Sequence, residues 1–226
     1  MSRFKIISID MFQTLVNVEC RKSIIWQTIL KDNYTPESAD EYWKRANELV
    51  FGYFKTRVIK NNHYMPVKSI FQECYSQLFS EISCTFDPME AAQVLAEQHP
   101  LSPPFHDALP FLRKVGELYP ICLASDTDDD MLGSLMKIYD FDHIFTSEQL
   151  QAYKIHPSNK FFKDILDHYQ LKPQQIIHIG DSSSDILGPQ RLGIVTCWLN
   201  RNDQPWLHEI LPDYVVGSLS EAASIL

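Results

Sequence analysis

The feature that most constrains the fold of this chain is a long helical block that separates one strand from all the others. An apolar run predicts a strand over residues 4–10, and apolar residues at three- and four-residue spacing predict helices from about 21 to 98. A block of about 80 residues is far too long for a crossover between neighbouring strands. We therefore expect a helical cap, residues 19–98, inserted into a core formed by residues 1–18 and 99–226.

The rest of the chain alternates short apolar strands with helices, which predicts an α/β fold: a Rossmann-like parallel sheet flanked by helices, with the helical cap inserted. The predicted strands cover residues 119–125, 143–147, 175–181, 195–200 and 213–216. The predicted helices cover residues 157–169, residues 184–192 and a stretch that includes Met131, Met136 and Ile138.

Composition and charge limit the partners that the chain can have. Its 20 basic and 29 acidic residues give a formal net charge of −9 with no local basic patch, so we expect no nucleic-acid partner. No apolar run reaches the ~18 residues of a membrane span, no signal-peptide pattern is visible, and the five cysteines are scattered. These features favour a cytoplasmic protein with reduced thiols, and they indicate no particular oligomeric state.

Polar residues follow the apolar parts of four predicted strands. Asp10 follows the first, Ser125 ends the second, Lys154 lies in the passage after the third, and Asp181 and Asp185 follow the fourth. In open parallel sheets, ligands bind beyond the carboxyl ends of the strands. We therefore expect a nucleophile, a hydroxyl, a cation and two carboxylates to meet at one edge of the sheet.

The order and spacing of these residues resemble the four motifs of the haloacid dehalogenase superfamily, whose members are mostly phosphohydrolases and phosphotransferases. The counterparts extend from residue 6 to residue 185, and the predicted cap falls between the first and second motifs, where that family often places one. The resemblance implies a hydrolase that acts on a small molecule, which we expect to be a phosphorylated metabolite.

The resemblance also implies catalytic and substrate-binding roles. Asp10 would be the nucleophile that forms a covalent intermediate. Ser125 would hydrogen-bond the group that is transferred, and Lys154 would hold the nucleophile and the substrate charge in place. Ser125, Asp126 and Lys154 are the predicted substrate-binding residues.

A Mg²⁺ site is the third implication of the resemblance. Mg²⁺ prefers hard oxygen ligands and keeps several waters. Asp10, Asp181 and the backbone carbonyl of Phe12 would supply these ligands, with Asp185 in support. Without a cation or Lys154, the carboxylates would repel one another.

Phe12 departs from the pattern of the family's phosphatases, in which the residue two places after the nucleophile is a second aspartate. That aspartate protonates the leaving group and then activates water, a role worth ~10²–10⁴-fold in rate. A phenylalanine can do neither, although its backbone carbonyl is retained. We therefore expect impaired or unusual acid–base chemistry.

Three functions stay open after this departure. The family's 2-haloacid dehalogenases also carry an aromatic residue at this position, and the segments 152–154 ("AYK") and 196–201 ("TCWLNR") are similar to that branch. That branch works without a metal and lacks the acidic "GD" of the fourth motif, which this chain keeps as Gly180 and Asp181. The sequence favours a Mg²⁺-dependent phosphohydrolase over a 2-haloacid dehalogenase or a catalytically silent binding or regulatory protein.

Some acidic and histidine residues have simpler structural interpretations. The acids within 126–130 are expected to start a helix, with Thr127 as its N-cap and Asp130 three residues later. His178 lies inside an apolar strand, so we expect a hydrogen-bonded core residue there. Asp185 could cap the helix that begins near it.

Overall fold

The computed structural model describes residues 3–60 and 64–226 of the 226-residue chain. The described residues fall into two compact units. The sheet unit comprises those within Met1–Asn17, Pro103–Asp126 and Leu135–Leu226, and the helical unit comprises those within Val18–Ser102 and Thr127–Ser134. The predicted division into a core of residues 1–18 and 99–226 and a cap of residues 19–98 stays a prediction.

The sheet unit contains a six-stranded sheet in which every neighbouring pair is parallel, in the order β3-β2-β1-β4-β5-β6. The strands are β1 (Ile6–Ile9), β2 (Ile121–Ser125), β3 (His143–Thr146), β4 (Ile176–Gly180), β5 (Val195–Leu199) and β6 (Tyr214–Val216).

The central strands are buried along their whole length, which explains their continuous apolar sequences. Every residue of β1, β2 and β4 is buried, as expected for a parallel sheet that is covered on both faces. Ile7 pairs with Ile121 on one side and with Ile177 on the other. The predicted α/β class with a Rossmann-like parallel sheet is confirmed.

The helical unit contains four α-helices: α1 (Lys22–Leu30), α2 (Pro36–Tyr53), α3 (Val67–Glu81) and α4 (Pro88–Gln98). A capping box of Thr35 and Ser38 starts α2, and the Asp87 carboxylate starts α4 by accepting two backbone N–H groups. A π-helical turn, Phe54–Val58, follows α2. Within the described ranges, none of the helices combines the length and the apolar content that crossing a bilayer would require.

The helices of the sheet unit are shorter. They are α5 (Ala108–Gly116), α6 (Ser147–Leu150), α7 (Lys160–Tyr169), α8 (Ser184–Gln190) and α9 (Leu219–Ala222). A strand followed by α8 and a further parallel strand is the alternation that the sequence predicted.

The helix predicted after β2 does not form, and this interpretation of the acidic run was wrong. The segment makes only two 3₁₀ turns, Asp129–Met131 and Ser134–Lys137. The Thr127 hydroxyl donates to the Asp128 carbonyl instead of capping a helix. The Asp128 carboxylate accepts hydrogen bonds from the first backbone N–H groups of α3, and residues 127–134 accordingly belong to the helical unit.

Candidate active site

The carboxyl ends of the central strands bring the predicted residues of the sheet unit together. Asp10 directly follows β1, Ser125 ends β2 and Asp181 directly follows β4. Strand β1 lies between β2 and β4. Strands β2 and β3 lie on one side of β1, and strands β4, β5 and β6 lie on the other, so the strand order reverses at β1. Open parallel sheets bind ligands at such a point. The Asp10 N–H donates to the Ile179 carbonyl at 2.9 Å and so continues the β1–β4 ladder up to the site.

Lys154 forms the centre of this group. Its Nζ donates to Asp10 Oδ1 at 2.7 Å, to Asp185 Oδ1 at 2.5 Å and to the Ala124 carbonyl at 3.2 Å. The side chain is 2% exposed, and these bonds use the three donors of an ammonium group. Burial alone would lower the pKa of Lys154, but the charges of Asp10, Asp185 and Asp126 raise it above its ordinary value, so the group stays a cation.

Two glycines let the chain approach closely around Lys154. A Cβ atom on Gly188 would lie 2.2 Å from the Lys154 carbonyl oxygen, and a Cβ atom on Gly180 would lie 2.3 Å from Asp185 Cγ. Both distances are far below van der Waals contact, so only glycine fits at these two positions.

Asp185 lies in the first turn of α8, where it is buried and fully engaged. Its Oδ2 accepts from the Ser182 N–H at 3.0 Å and from the Ser182 hydroxyl at 2.5 Å, and its Oδ1 contacts His178 Nε2 at 2.9 Å. Burial alone would raise the pKa of Asp185, but Lys154 and His178 hold it below its ordinary value. The Asp185 carboxylate therefore neutralises the charge of the buried Lys154. The N-cap residue of α8 makes no side-chain capping hydrogen bond.

His178 is the hydrogen-bonded core residue that the sequence predicted, and it also supports the site. It is paired in register with Ser8, whose hydroxyl lies 2.8 Å from His178 Nδ1, while Nε2 contacts Asp185. Burial lowers the pKa of His178 below its ordinary value. The sequence does not predict the contact of His178 with Asp185, because no local pattern marks it.

Asp10, Asp181 and Asp185 each offer a carboxylate oxygen, and these atoms lie within 4.8 Å of one another. Burial, followed by the charges of Asp10 and Asp185, raises the pKa of Asp181 well above its ordinary value. Burial and the charge of Asp185 raise the pKa of Asp10 to about 7, although Lys154 acts in the opposite direction. This excess of close, hard, anionic oxygens fits a divalent cation such as Mg²⁺.

Ser125 and Asp126 flank this cluster at the end of β2. The Ser125 hydroxyl is buried and has no hydrogen-bond partner among the described residues. Asp126 Oδ1 accepts the backbone N–H of Lys154 at 2.9 Å, and burial raises the pKa of Asp126 to about 6. The structure thus shows Asp126 holding the lysine segment, and the substrate-binding roles of both residues stay predictions.

Phe12 lies half-buried in the tight loop of residues 11–16, in an isolated bridge with Val16. The next residue, Gln13, adopts a left-handed backbone conformation with φ of 58°, and its N–H donates to the Val16 carbonyl at 2.7 Å. No titratable side chain therefore stands two places after Asp10. The role of the Phe12 carbonyl as a metal ligand stays a prediction.

Residues 4–193 match the family model of the haloacid dehalogenase-like hydrolases, and this range includes all of the predicted site residues. The chain belongs to this family. The resemblance that the sequence motifs suggested is confirmed, and the protein is a hydrolase of the haloacid dehalogenase-like type.

Two bacterial relatives match this family member over its whole length. It is 24% identical over 235 residues to YfnB of Bacillus subtilis (strain 168), an alignment that covers 100% of this chain and 97% of YfnB. It is also 24% identical over 235 residues to phosphoglycolate phosphatase of Mannheimia succiniciproducens, with 100% of this chain and 99% of that protein covered.

Solved structures of the family share the fold. The crystal structure of YfnB bound to magnesium matches with a TM-score of 0.83 and 18% identity, and the match covers 99% of each chain. The L-2-haloacid dehalogenase of Xanthobacter autotrophicus matches with a TM-score of 0.81 and 15% identity over 98% of each chain. At such identities the likeness shows the fold alone.

Proposed function

We propose that this hydrolase is a Mg²⁺-dependent phosphohydrolase that uses Asp10 as its nucleophile and acts on a small phosphorylated metabolite. The observation that carries the proposal is the cluster of Asp10, Asp181 and Asp185 around a single buried lysine. Lys154 bonds to Asp10 and Asp185, while Asp181 bonds to the neutral hydroxyl of Thr14. When ionised, three carboxylates against one ammonium carry an excess of negative charge, and a divalent cation can neutralise this charge together with that of the phosphoryl group.

In this proposal Mg²⁺ would be held by Asp10, Asp181 and the backbone carbonyl of Phe12, with Asp185 in support. When bound, the ion neutralises charge on the phosphoryl oxygens and helps to orient the group for attack. Lys154 holds Asp10 Oδ1 and so fixes the orientation of the nucleophilic carboxylate. The unpartnered Ser125 hydroxyl supplies a hydrogen bond to a phosphoryl oxygen.

The reaction proceeds in two displacements at phosphorus. An oxygen of Asp10 attacks the phosphorus atom, and the bond between phosphorus and the leaving oxygen breaks, with the electron pair going to the leaving group. A water molecule then attacks the aspartyl phosphate, the bond between Asp10 and phosphorus breaks, and the water oxygen and its protons depart with the phosphate product.

Phe12 limits which leaving groups this reaction accepts. A phenyl ring cannot protonate the leaving oxygen, so the leaving group must depart as an anion. Acyl and aryl phosphates meet this requirement, and ordinary alkyl phosphates do not. The substrate class that this site supports best is therefore a phosphate with a leaving group of low pKa.

The same phenylalanine favours one other reaction, the hydrolysis of 2-haloacids. A halide leaves without a proton, so this reaction needs no acid at the position of Phe12. In that reaction the Asp10 carboxylate attacks carbon instead of phosphorus, and halide departs with the bonding electrons. Asp181 argues against this second candidate, because a further carboxylate beside Asp10 is costly in a site without a metal ion, where Lys154 already bonds to Asp10 and Asp185.

A substrate screen with and without Mg²⁺ tests both candidates. We expect wild type to hydrolyse acetyl phosphate and aryl phosphates only with Mg²⁺, and Asp10→Asn to lose this activity by at least ~10³-fold. Phe12→Asp should extend hydrolysis to alkyl phosphates, with the gain rising with the pKa of the leaving group.

Two results would overturn the proposal in different ways. Release of halide from 2-haloacids by metal-free wild type, lost in Phe12→Asp, would establish the dehalogenase. Absence of turnover on all these substrates in wild type and in folded Phe12→Asp would overturn both enzymatic candidates and leave the binding or regulatory protein as the remaining one.

A further inference from the structure

We propose that Arg201 is a positioning residue for Asp181 and acts on it through Thr14. The inference rests on the proposed function, because it assigns Asp181 to a Mg²⁺ site. Arg201 follows β5, a strand that contributes none of the predicted site residues. Its guanidinium group nevertheless donates a hydrogen bond to the loop of residues 11–16, which follows Asp10.

Asp107 fixes the guanidinium group of Arg201 in one orientation. Arg201 Nη1 donates to Asp107 Oδ2 at 3.0 Å, and Nη2 donates to Asp107 Oδ1 at 2.9 Å, which is a bidentate pair. Asp107 is buried and also accepts the backbone N–H of Leu219 at 2.9 Å. The guanidinium carbon lies 4.1 Å from the centre of the Phe105 ring. The pair is therefore held on several sides.

The same guanidinium group reaches the loop that follows the nucleophile. Arg201 Nη2 donates to the backbone carbonyl of Thr14 at 2.9 Å. The side chain of Thr14 is fully buried, and its hydroxyl donates to Asp181 Oδ1 at 3.1 Å. Arg201 thus holds the main chain of the residue whose hydroxyl orients a candidate metal ligand.

Asp181 is held a second time from the end of β5. Trp198 Nε1 donates to the Asp181 backbone carbonyl at 2.8 Å. Trp198 restrains the main chain of Asp181, and Arg201 restrains its carboxylate through Thr14. The Arg201 guanidinium group donates to both oxygens of the Asp107 carboxylate and to the Thr14 carbonyl, with its nitrogens in a fixed planar fork. A lysine ammonium group does not reproduce this geometry, so the position requires an arginine.

The expected consequence concerns the affinity for Mg²⁺. Groups that orient metal ligands typically change metal affinity by about 10–100-fold when they are removed. Arg201→Lys keeps a positive charge near Asp107 but loses the fork, so Thr14 is free to shift. Thr14→Val removes the hydroxyl that reaches Asp181 and changes little else in volume. Both variants should weaken the binding of Mg²⁺ to the folded protein by about 10-fold.

A double-mutant cycle with Mg²⁺ alone as the probe tests the pathway. Calorimetry would be run on wild type, Arg201→Lys, Thr14→Val and the double variant, each at a temperature below its own thermal unfolding. If Arg201 acts through Thr14, the double variant binds Mg²⁺ about as weakly as each single variant. Arg45→Lys is the matched control, because Arg45 forms a bidentate pair with Glu81 in the helical unit, and it should leave the affinity unchanged.

The outcomes separate this proposal from the proposed function. If wild type binds Mg²⁺ and Arg201→Lys binds it equally well, Arg201 is only a structural residue and the inference is wrong. Additive losses in the double variant would show that Arg201 does not act through Thr14. If wild type binds no Mg²⁺, the proposed function itself fails. Asp107→Asn, which loosens Arg201 without replacing it, gives the same measurement if Arg201→Lys does not fold, and wild-type affinity in that variant would also overturn the inference.

Discussion

Both units bury carboxylates, but the partners of these carboxylates differ. In the helical unit, Asp128 accepts the backbone N–H of Val67 at 2.8 Å and that of Lys68 at 2.9 Å, and the hydroxyl of Tyr64 at 3.1 Å. All three donors are electrically neutral, and they come from the start of α3 and the residues before it. This carboxylate replaces the partners that the first N–H groups of a helix lack.

In the candidate site of the sheet unit, three carboxylates lie close to one another. Asp10, Asp181 and Asp185 lie around a single ammonium group, and burial together with mutual repulsion raises the pKa of two of them. A carboxylate surrounded by N–H donors is already satisfied, whereas clustered carboxylates are stable only with cations. The difference distinguishes an acid that serves the fold from acids that can bind a metal or attack a substrate.

Removal of Lys154, the cation at the centre of the candidate site, should give the largest effect on the free energy of unfolding. In Lys154→Met, Asp10 and Asp185 lose their buried partner, so we expect the free energy of unfolding at pH 8 to fall by ~3–5 kcal/mol in urea titrations. The double variant with Asp185→Asn should recover part of this loss, because one unpaired charge is removed with the lysine. An unchanged stability in Lys154→Met would show that the cluster does not depend on its ion pairs.

The corresponding change in the helical unit should be smaller and should affect the fold alone. Asp128→Asn replaces one carboxylate oxygen by an NH₂ group that faces a backbone donor, so we expect a loss of ~1–3 kcal/mol in the free energy of unfolding. The affinity for Mg²⁺, measured by calorimetry, should stay at the wild-type value. A matching loss of Mg²⁺ affinity would contradict the distinction drawn between the two kinds of buried acid.

The smallest expected effect is the pH dependence of the stability that the buried His99 contributes. Burial lowers the pKa of His99 to about 4, against an ordinary value of 6.5, so protons bind to the unfolded chain first. Stability from the neutral ring is therefore complete above pH 6.5 and is lost as pH falls towards 4. Between pH 6.5 and 5.5 this linkage amounts to ~1 kcal/mol. The difference in unfolding free energy between wild type and His99→Gln should shrink by that amount, and a pH-independent difference would rule out the linkage.

The site residues at strand ends were predictable, because the topology of a parallel sheet determines where strand ends lie. Asp10, Ser125 and Asp181 each end an apolar run, and parallel strands bring such ends to one edge whatever their separation in sequence. Lys154 ends no strand, and its loop shows no periodicity, so the sequence placed it only in the passage after the third predicted strand. Its bond to Asp10 spans 144 residues.

Contacts that depend on tertiary structure alone could not be predicted. The acidic run after β2 has the local features of a helix start, but Asp128 finds its partners 60 and 61 residues away in α3. The pair of Arg201 and Asp107 joins two segments 94 residues apart. Arg201 ends the segment 196–201, but no local pattern marks Asp107 as its partner. In each case a long-range hydrogen bond outweighed or replaced the local signal.

The position of β1 in the sheet has a consequence for how the chain is made. Ile7 pairs with Ile121, 114 residues later, and with Ile177, 170 residues later, so β1 has no partner strand until much of the chain exists. At the ~5–20 residues per second of synthesis, the interval before β2 emerges is ~6–23 s. The contacts of the helical unit are largely between successive helices, and such local contacts form quickly. We expect the helices to fold on the ribosome before β1, the strand that precedes Asp10, finds its partner strands, so the candidate site is completed only after the later strands have been synthesised.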